Sequence, residues 1–142
     1  GTGSATGEPG LAALGAGLAV VAATLPDVDH RLPVAHRGPT HTLGFALGAG
    51  ALAGVVTACA LAVAPSVAAS PRTAVFVGGV VALSLCSHLA GDAITPMGIR
   101  PFRPVWNVHV TLDLTPAKDP RANRLFLGAG VAAASLATVA AV

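Results

Sequence analysis

Between Thr73 and Ile94 the chain carries one charged side chain, Asp92, close to the end of the run. A segment of this length and composition is read as a membrane-spanning helix. About 20 apolar residues, at about 1.5 Å of rise each, cover a hydrocarbon core of about 30 Å. The run closes on His88-Leu-Ala-Gly-Asp92. Residues four apart share one face of a helix. An imidazole and a carboxylate are costly in an apolar medium unless they are paired or bound to metal.

The remaining polar chemistry is concentrated in a second stretch, Leu25-Pro-Asp-Val-Asp-His-Arg-Leu-Pro-Val-Ala-His-Arg-Gly-Pro-Thr-His41. The two stretches hold four of the five histidines and three of the six acids. Only 10% of the residues are charged and 54% are hydrophobic, whereas a soluble domain carries about 25% charged residues. The expectation is an all-α, polytopic helical membrane protein, a single domain of about four transmembrane helices. The spans are expected at about 11–25, 42–64, 73–94 and 125–142, with a small polar tail over 1–10 and a polar segment over 97–124. The first span is short, about 22 Å by rise per residue, and stops at Pro26. A turn from Pro65 to Pro71 joins the second and third spans.

Counting spans brings the Asp27–His41 loop and the His88–Asp92 helix end to one membrane face. Seven of the eight Lys and Arg residues lie on that face, and Arg72 lies on the other. Positive-inside bias then places both polar clusters at the cytoplasmic side of a multi-pass plasma (inner) membrane protein. Phe102 and Trp106 fit interfacial anchoring. Gly44 with Gly48 and Gly50 with Gly54 form small-xxx-small pairs suited to close helix packing within the molecule. Cys59 and Cys86 lie in different apolar spans and fit unbridged core positions.

Asp27, Asp29 and His30 follow a helix C-terminus, where the dipole disfavours negative charge. A bound cation would reverse that penalty, and two carboxylates with an imidazole are a suitable donor set for a divalent metal. Alone, the same residues would serve as a polar helix stop. His36 and His41 flank a Gly-Pro turn, either as inward-facing ligands or as a solvated loop. Arg37 could hold a phosphate or carboxylate by bidentate hydrogen bonds. Thr40 or Thr42 could cap the second span. His88 and Asp92 form the strongest pair, as metal ligands or as a hydrogen bond tying the bundle together. Val108 to Leu114 alternates like a short strand and leaves His109 and Asp113 as exposed or outlying groups. No Walker-type loop, Cys-x-x-Cys pair or Gly-x-Ser-x-Gly elbow is present, and no aromatic platform supports nucleic-acid binding.

Leu25-Pro-Asp-Val-Asp-His30, His36-Arg-Gly-Pro-Thr-His41, and His88-Leu-Ala-Gly-Asp92 with Thr95 and Gly98 resemble, in order and approximate spacing, the three motifs of the YdjM-like (LexA-regulated) membrane-bound metal-dependent hydrolases. The His-x-x-x-Asp element is also similar to that of zinc-dependent phospholipases C. Members of the YdjM-like family usually open with a further apolar helix bearing a histidine near its start, and residues 1–10 hold none. The resemblance implies a zinc-dependent hydrolase in which a metal-activated water attacks a phosphoester, of a small anionic or lipid substrate at the membrane. The expected metal ligands are Asp27, Asp29, His36, His41, His88 and Asp92. Asp29 and Arg37 are the expected catalytic groups, and His30, Thr40 and Thr95 are expected to orient ligands or touch substrate. The alternative is a non-catalytic metal-binding membrane module, a sensor or transport component. A third reading is a structural protein whose polar groups only tie helices together.

Overall fold

The computed structural model describes residues 8–31, 37–63 and 71–140, and their side chains except those of residues 8–12, 29–31, 131 and 133–140. Four helices follow one another: α1 (Glu8–Ala23), α2 (Leu43–Val63), α3 (Pro71–Ile94) and α4 (Pro120–Ala140). Two short 3₁₀ turns, Pro26–Arg31 and Pro39–His41, stand between α1 and α2. α2 and α3 are long and apolar enough to cross a membrane.

Several boundaries differ from expectation. α1 begins at Glu8, inside the segment expected to be a tail. α3 starts at Pro71 rather than Thr73; proline suits the first helical position because its missing N–H would have no partner there. α4 starts at Pro120, within the expected polar segment. Asp119 Oδ1 accepts from the backbone N–H groups of Arg121 at 2.7 Å and Ala122 at 3.1 Å. This is an N-cap that the apolar pattern alone did not reveal. Residues 64–70, where the turn between spans was expected, lie outside the described residues.

Small residues set the packing. A Cβ on Gly50 would sit 2.7 Å from Ala82 Cβ and 2.8 Å from the Gly78 carbonyl oxygen, and one on Gly54 would sit 3.2 Å from the Ala74 oxygen. This pairing runs α2 antiparallel to α3 at near backbone contact. Gly48 meets nothing within 4 Å, so of the two small-residue pairs only Gly50 and Gly54 pack against a helix. In lipid, such close approach replaces the hydrophobic driving force between helices. α1 packs against α3 and runs parallel to it. Gly15 faces the Phe76 ring, and Ser84 Oγ donates to the Ala19 carbonyl at 2.6 Å. Ala22, Ala46, Val81 and Leu85 form the core where the three helices meet. Cys86 packs against this core, but Cys59 faces outward from α2, contrary to its expected core position; both are free thiols.

The segment after α3 straps the site end of the bundle. Ile99 and Val110 form an isolated antiparallel bridge. Further along, Leu112 N–H donates to Ala93 O at 2.7 Å and Leu114 N–H to Ile94 O at 2.9 Å. The alternation that suggested a strand is therefore real in hydrogen bonding, but its backbone bonds are shared equally between Ile99 and the end of α3, whose last carbonyls would otherwise lack donors. Gly98 adopts φ +59 beneath the strap, and a Cβ there would meet the His109 ring nitrogen Nε2 at 2.7 Å.

Candidate metal centre

Three chain elements deliver the polar cluster to one point. Pro26 ends the path of α1 and turns Asp27 back over the bundle. The second 3₁₀ turn places His41 immediately before α2, which Thr42 caps by accepting from Phe45 N–H at 3.1 Å. Thr42 is thus the cap of α2, leaving Thr40 for another task. The last two turns of α3 present His88 and Asp92 on one face.

The groups lie close together. Asp27 Oδ1 is 3.7 Å from His88 Nε2 and 3.9 Å from His41 Nε2. Asp92 Oδ2 is 3.2 Å from His41 Nε2 and 3.4 Å from His88 Nε2. The two imidazoles meet edge to face, with ring centroids 5.4 Å apart. His41 is fully buried, His88 and Asp92 are largely buried, and Asp27 is half exposed. Asp27, His41 and His88 each offer one ligand atom, and these atoms all lie within 4.8 Å of one another, so the three could hold a metal ion.

The donor set fits a divalent ion. Two ligands at about 2.0–2.1 Å from a tetrahedral ion stand about 3.4 Å apart, close to the four separations found here. Oδ2 of Asp92 and Nε2 of His88 are buried and have no hydrogen-bond partner among the described residues, despite their proximity. Buried polar atoms are normally satisfied, and a cation between them would satisfy both.

The surroundings hold these groups in place. Arg37 Nη2 donates to Asp92 Oδ1 at 2.5 Å, while its Nη1 donates to Thr95 Oγ1 at 2.9 Å and Gly98 O at 3.1 Å. Arg37 adopts φ 56, the left-handed region, a conformation that costs a non-glycine residue about 1–3 kcal/mol and persists only when its surroundings hold it. Thr95 Oγ1 in turn donates to the Asp92 carbonyl at 2.8 Å. Thr40 Oγ1 donates to Pro26 O at 3.1 Å and lies 3.1 Å from His41 Nδ1. That contact orients the ring and leaves Nε2 facing the cluster.

Of the expected site residues, Asp27, Arg37, Thr40, His41, His88, Asp92 and Thr95 come together. His36 lies outside the described residues, as do the side chains of Asp29 and His30. His109 is apart from the cluster and exposed, with Nε2 2.9 Å from Met97 O. Sequence reasoning passed over Thr115, Asn123 and Phe126, which border a cavity of about 270 Å³ together with His88 and Asp92. No sequence signal marked them, since an asparagine in a capped first turn and a phenylalanine in an apolar helix are ordinary.

A family model described as YdjM inner membrane protein matches residues 2–142. The chain belongs to the YdjM inner membrane protein family. No curated protein and no solved structure matches it. Membership in the YdjM family accords with the two apolar helices, and the family's membrane setting makes the buried histidines and acids at the helix ends more costly to leave unpartnered.

Proposed function

We propose that the chain is a multi-pass, membrane-bound metal-dependent hydrolase of phosphoesters, with its metal centre at the cytoplasmic face. The observation that carries this reading is the combination of a buried cluster of ligand-type atoms with an adjoining cavity. His88 and Asp92 belong to both. A purely structural tie would need no space beside it, and a sensor would need no room for a reactant.

Asp27, His41, His88 and Asp92 would hold the ion, with Asp29 and His36 as further ligands from the same loop. When bound, a divalent ion such as zinc supplies Lewis acidity, polarising a phosphoryl oxygen and lowering the pKa of water towards about 7. The chain's own residues then have separate tasks. Arg37 positions Asp92 through its Oδ1 contact. Thr40 positions His41. Asp29 would serve either as a ligand or instead as the general base. The strap from Ile99 to Leu114 fixes the end of α3 through the Leu112 and Leu114 N–H groups. The basic residues Arg37, Arg100, Arg103, Lys118, Arg121 and Arg124 support the cytoplasmic assignment through positive-inside bias.

The test uses protein purified in a maltoside detergent and loaded with zinc. Hydrolysis of a nitrophenyl phosphodiester should be lost on chelation, recovered on adding the ion back, and absent in His88→Ala. Turnover that survives chelation would overturn the metal dependence, and no turnover from metal-replete protein on phosphodiesters and phospholipids would overturn the hydrolase assignment in favour of a non-catalytic metal-binding module.

A further inference from the structure

We propose that the cavity beside the metal-ligand cluster seats a phosphoryl headgroup whose apolar tail remains in the bilayer, with Asn123 and Phe126 of α4 contacting the two parts. This rests on the hydrolase reading and names its substrate class: a membrane amphiphile rather than a freely soluble phosphoester.

The walls of the cavity come from three places. α3 supplies His88, Asp92 and Ile94, the link between the strap and α4 supplies Thr115, and α4 supplies Asn123 and Phe126. At about 270 Å³, it lies just below the range of about 300–1,000 Å³ usual for whole small-molecule ligands. Taking about 30 Å³ per water, it has room for a headgroup but not for a headgroup with its acyl chains. Any long tail must lie outside it.

The lining grades from polar to apolar. Thr115 and Asn123 stand at the strap end of α4. Asn123 Nδ2 donates to the Ala117 carbonyl at 3.3 Å, which holds the amide in place. The Asp119 cap fixes the turn that carries it. Phe126 follows three residues later, on the same face of the helix. It is 56% exposed, and its neighbours Leu125 and Leu127 are also exposed, at 74% and 69%. In a membrane protein those side chains meet lipid. The cavity is thus lined by His88 and Asp92 of the cluster, by the exposed Asn123 amide, and by the Phe126 ring, which is largely exposed among the apolar side chains of α4. A soluble phosphoester would gain nothing from the apolar edge. A lipid could pass its headgroup inward between α3 and α4 and leave its tail beside Phe126.

Binding can be read without turnover. Trp106 is the only tryptophan, so a Trp106→Phe, Phe126→Trp protein carries one reporter at the cavity edge. Zinc-loaded protein in maltoside detergent is titrated with dodecylphosphonate, which has head and tail but no hydrolysable ester, and with methylphosphonate, the head alone. The tail should improve apparent affinity by more than about 10-fold, since each methylene buried beside Phe126 adds to the gain from leaving water. Asn123→Ala should weaken dodecylphosphonate binding by about 10-fold, the size of one hydrogen bond to a charged group. Asn123→Asp, similar in size but anionic, should weaken it more. Metal content should be the same in all three. Equal affinity for the two phosphonates, or full affinity in both Asn123 variants, would overturn the proposal. Absence of bound metal would instead defeat the hydrolase reading, while tail dependence and Asn123 dependence would still decide the site.

Discussion

Arg37 and Asp92, 55 residues apart in the chain, are joined by a 2.5 Å contact between Nη2 and Oδ1. The contact divides the Asp92 carboxylate. One oxygen is held by the guanidinium, and the other faces His41 and His88 at 3.2 and 3.4 Å. Arg37 therefore orients Asp92, and in the proposed centre this makes it a positioning residue for a ligand.

Arg37→Ala should lower metal affinity by about 10–100-fold, the usual effect of losing a group that orients a ligand. Arg37→Lys should recover only part of this, because an ammonium cannot reach Asp92, Thr95 and Gly98 together as the planar fork does. Competition with a chromogenic chelator measures both. Unchanged affinity in Arg37→Ala would show that Asp92 holds its place without the arginine.

His88→Ala and Asp92→Ala should each lose most bound metal, whereas His109→Ala should lose little, because the His109 ring lies at the strap against Met97 O. Elemental mass spectrometry of the three variants, purified alike, distinguishes the two groups. Equal loss in His109→Ala would mean that the strap contributes to the centre.

Two adjacent glycines should respond in opposite ways. A side chain at Gly78 would meet the Gly50 carbonyl oxygen at 2.8 Å, while Gly79 faces open space. Gly78→Val should destabilise the fold by about 1–3 kcal/mol through overpacking. Gly79→Ala should be neutral or stabilising by up to about 1 kcal/mol through helix propensity. Thermal unfolding in detergent reads the pair directly, and equal shifts would contradict the α2–α3 register.

Much of this architecture was legible in the sequence because the relevant signals are local. An apolar run long enough to span a bilayer announces α2 and α3, and the i, i+4 spacing puts His88 and Asp92 on one face. Counting spans then brings Asp27 and His41 to the same end. What stayed hidden depends on long-range contacts. Thr40 and Thr42 both offer a cap on paper, and the structure separates them: Phe45 N–H donates to Thr42, while Thr40 donates to the distant Pro26 carbonyl. The alternation over Val108–Leu114 carries no label saying that half of its backbone bonds go to the carbonyls of a helix end. The cavity residues on α4 gain meaning only from lying opposite His88 and Asp92.

The central claim is that Asp27, His41, His88 and Asp92 form a divalent-metal centre. X-ray absorption at the zinc edge of purified, zinc-reconstituted protein tests it most directly, since it reports both occupancy and ligand type. The account predicts stoichiometric zinc with a first shell of nitrogen and oxygen at about 2.0–2.1 Å and no sulfur at about 2.3 Å, lost in a His41→Ala, His88→Ala double variant. Zinc that fails to bind, a sulfur shell from Cys59 or Cys86, or an unchanged spectrum in the double variant would contradict it.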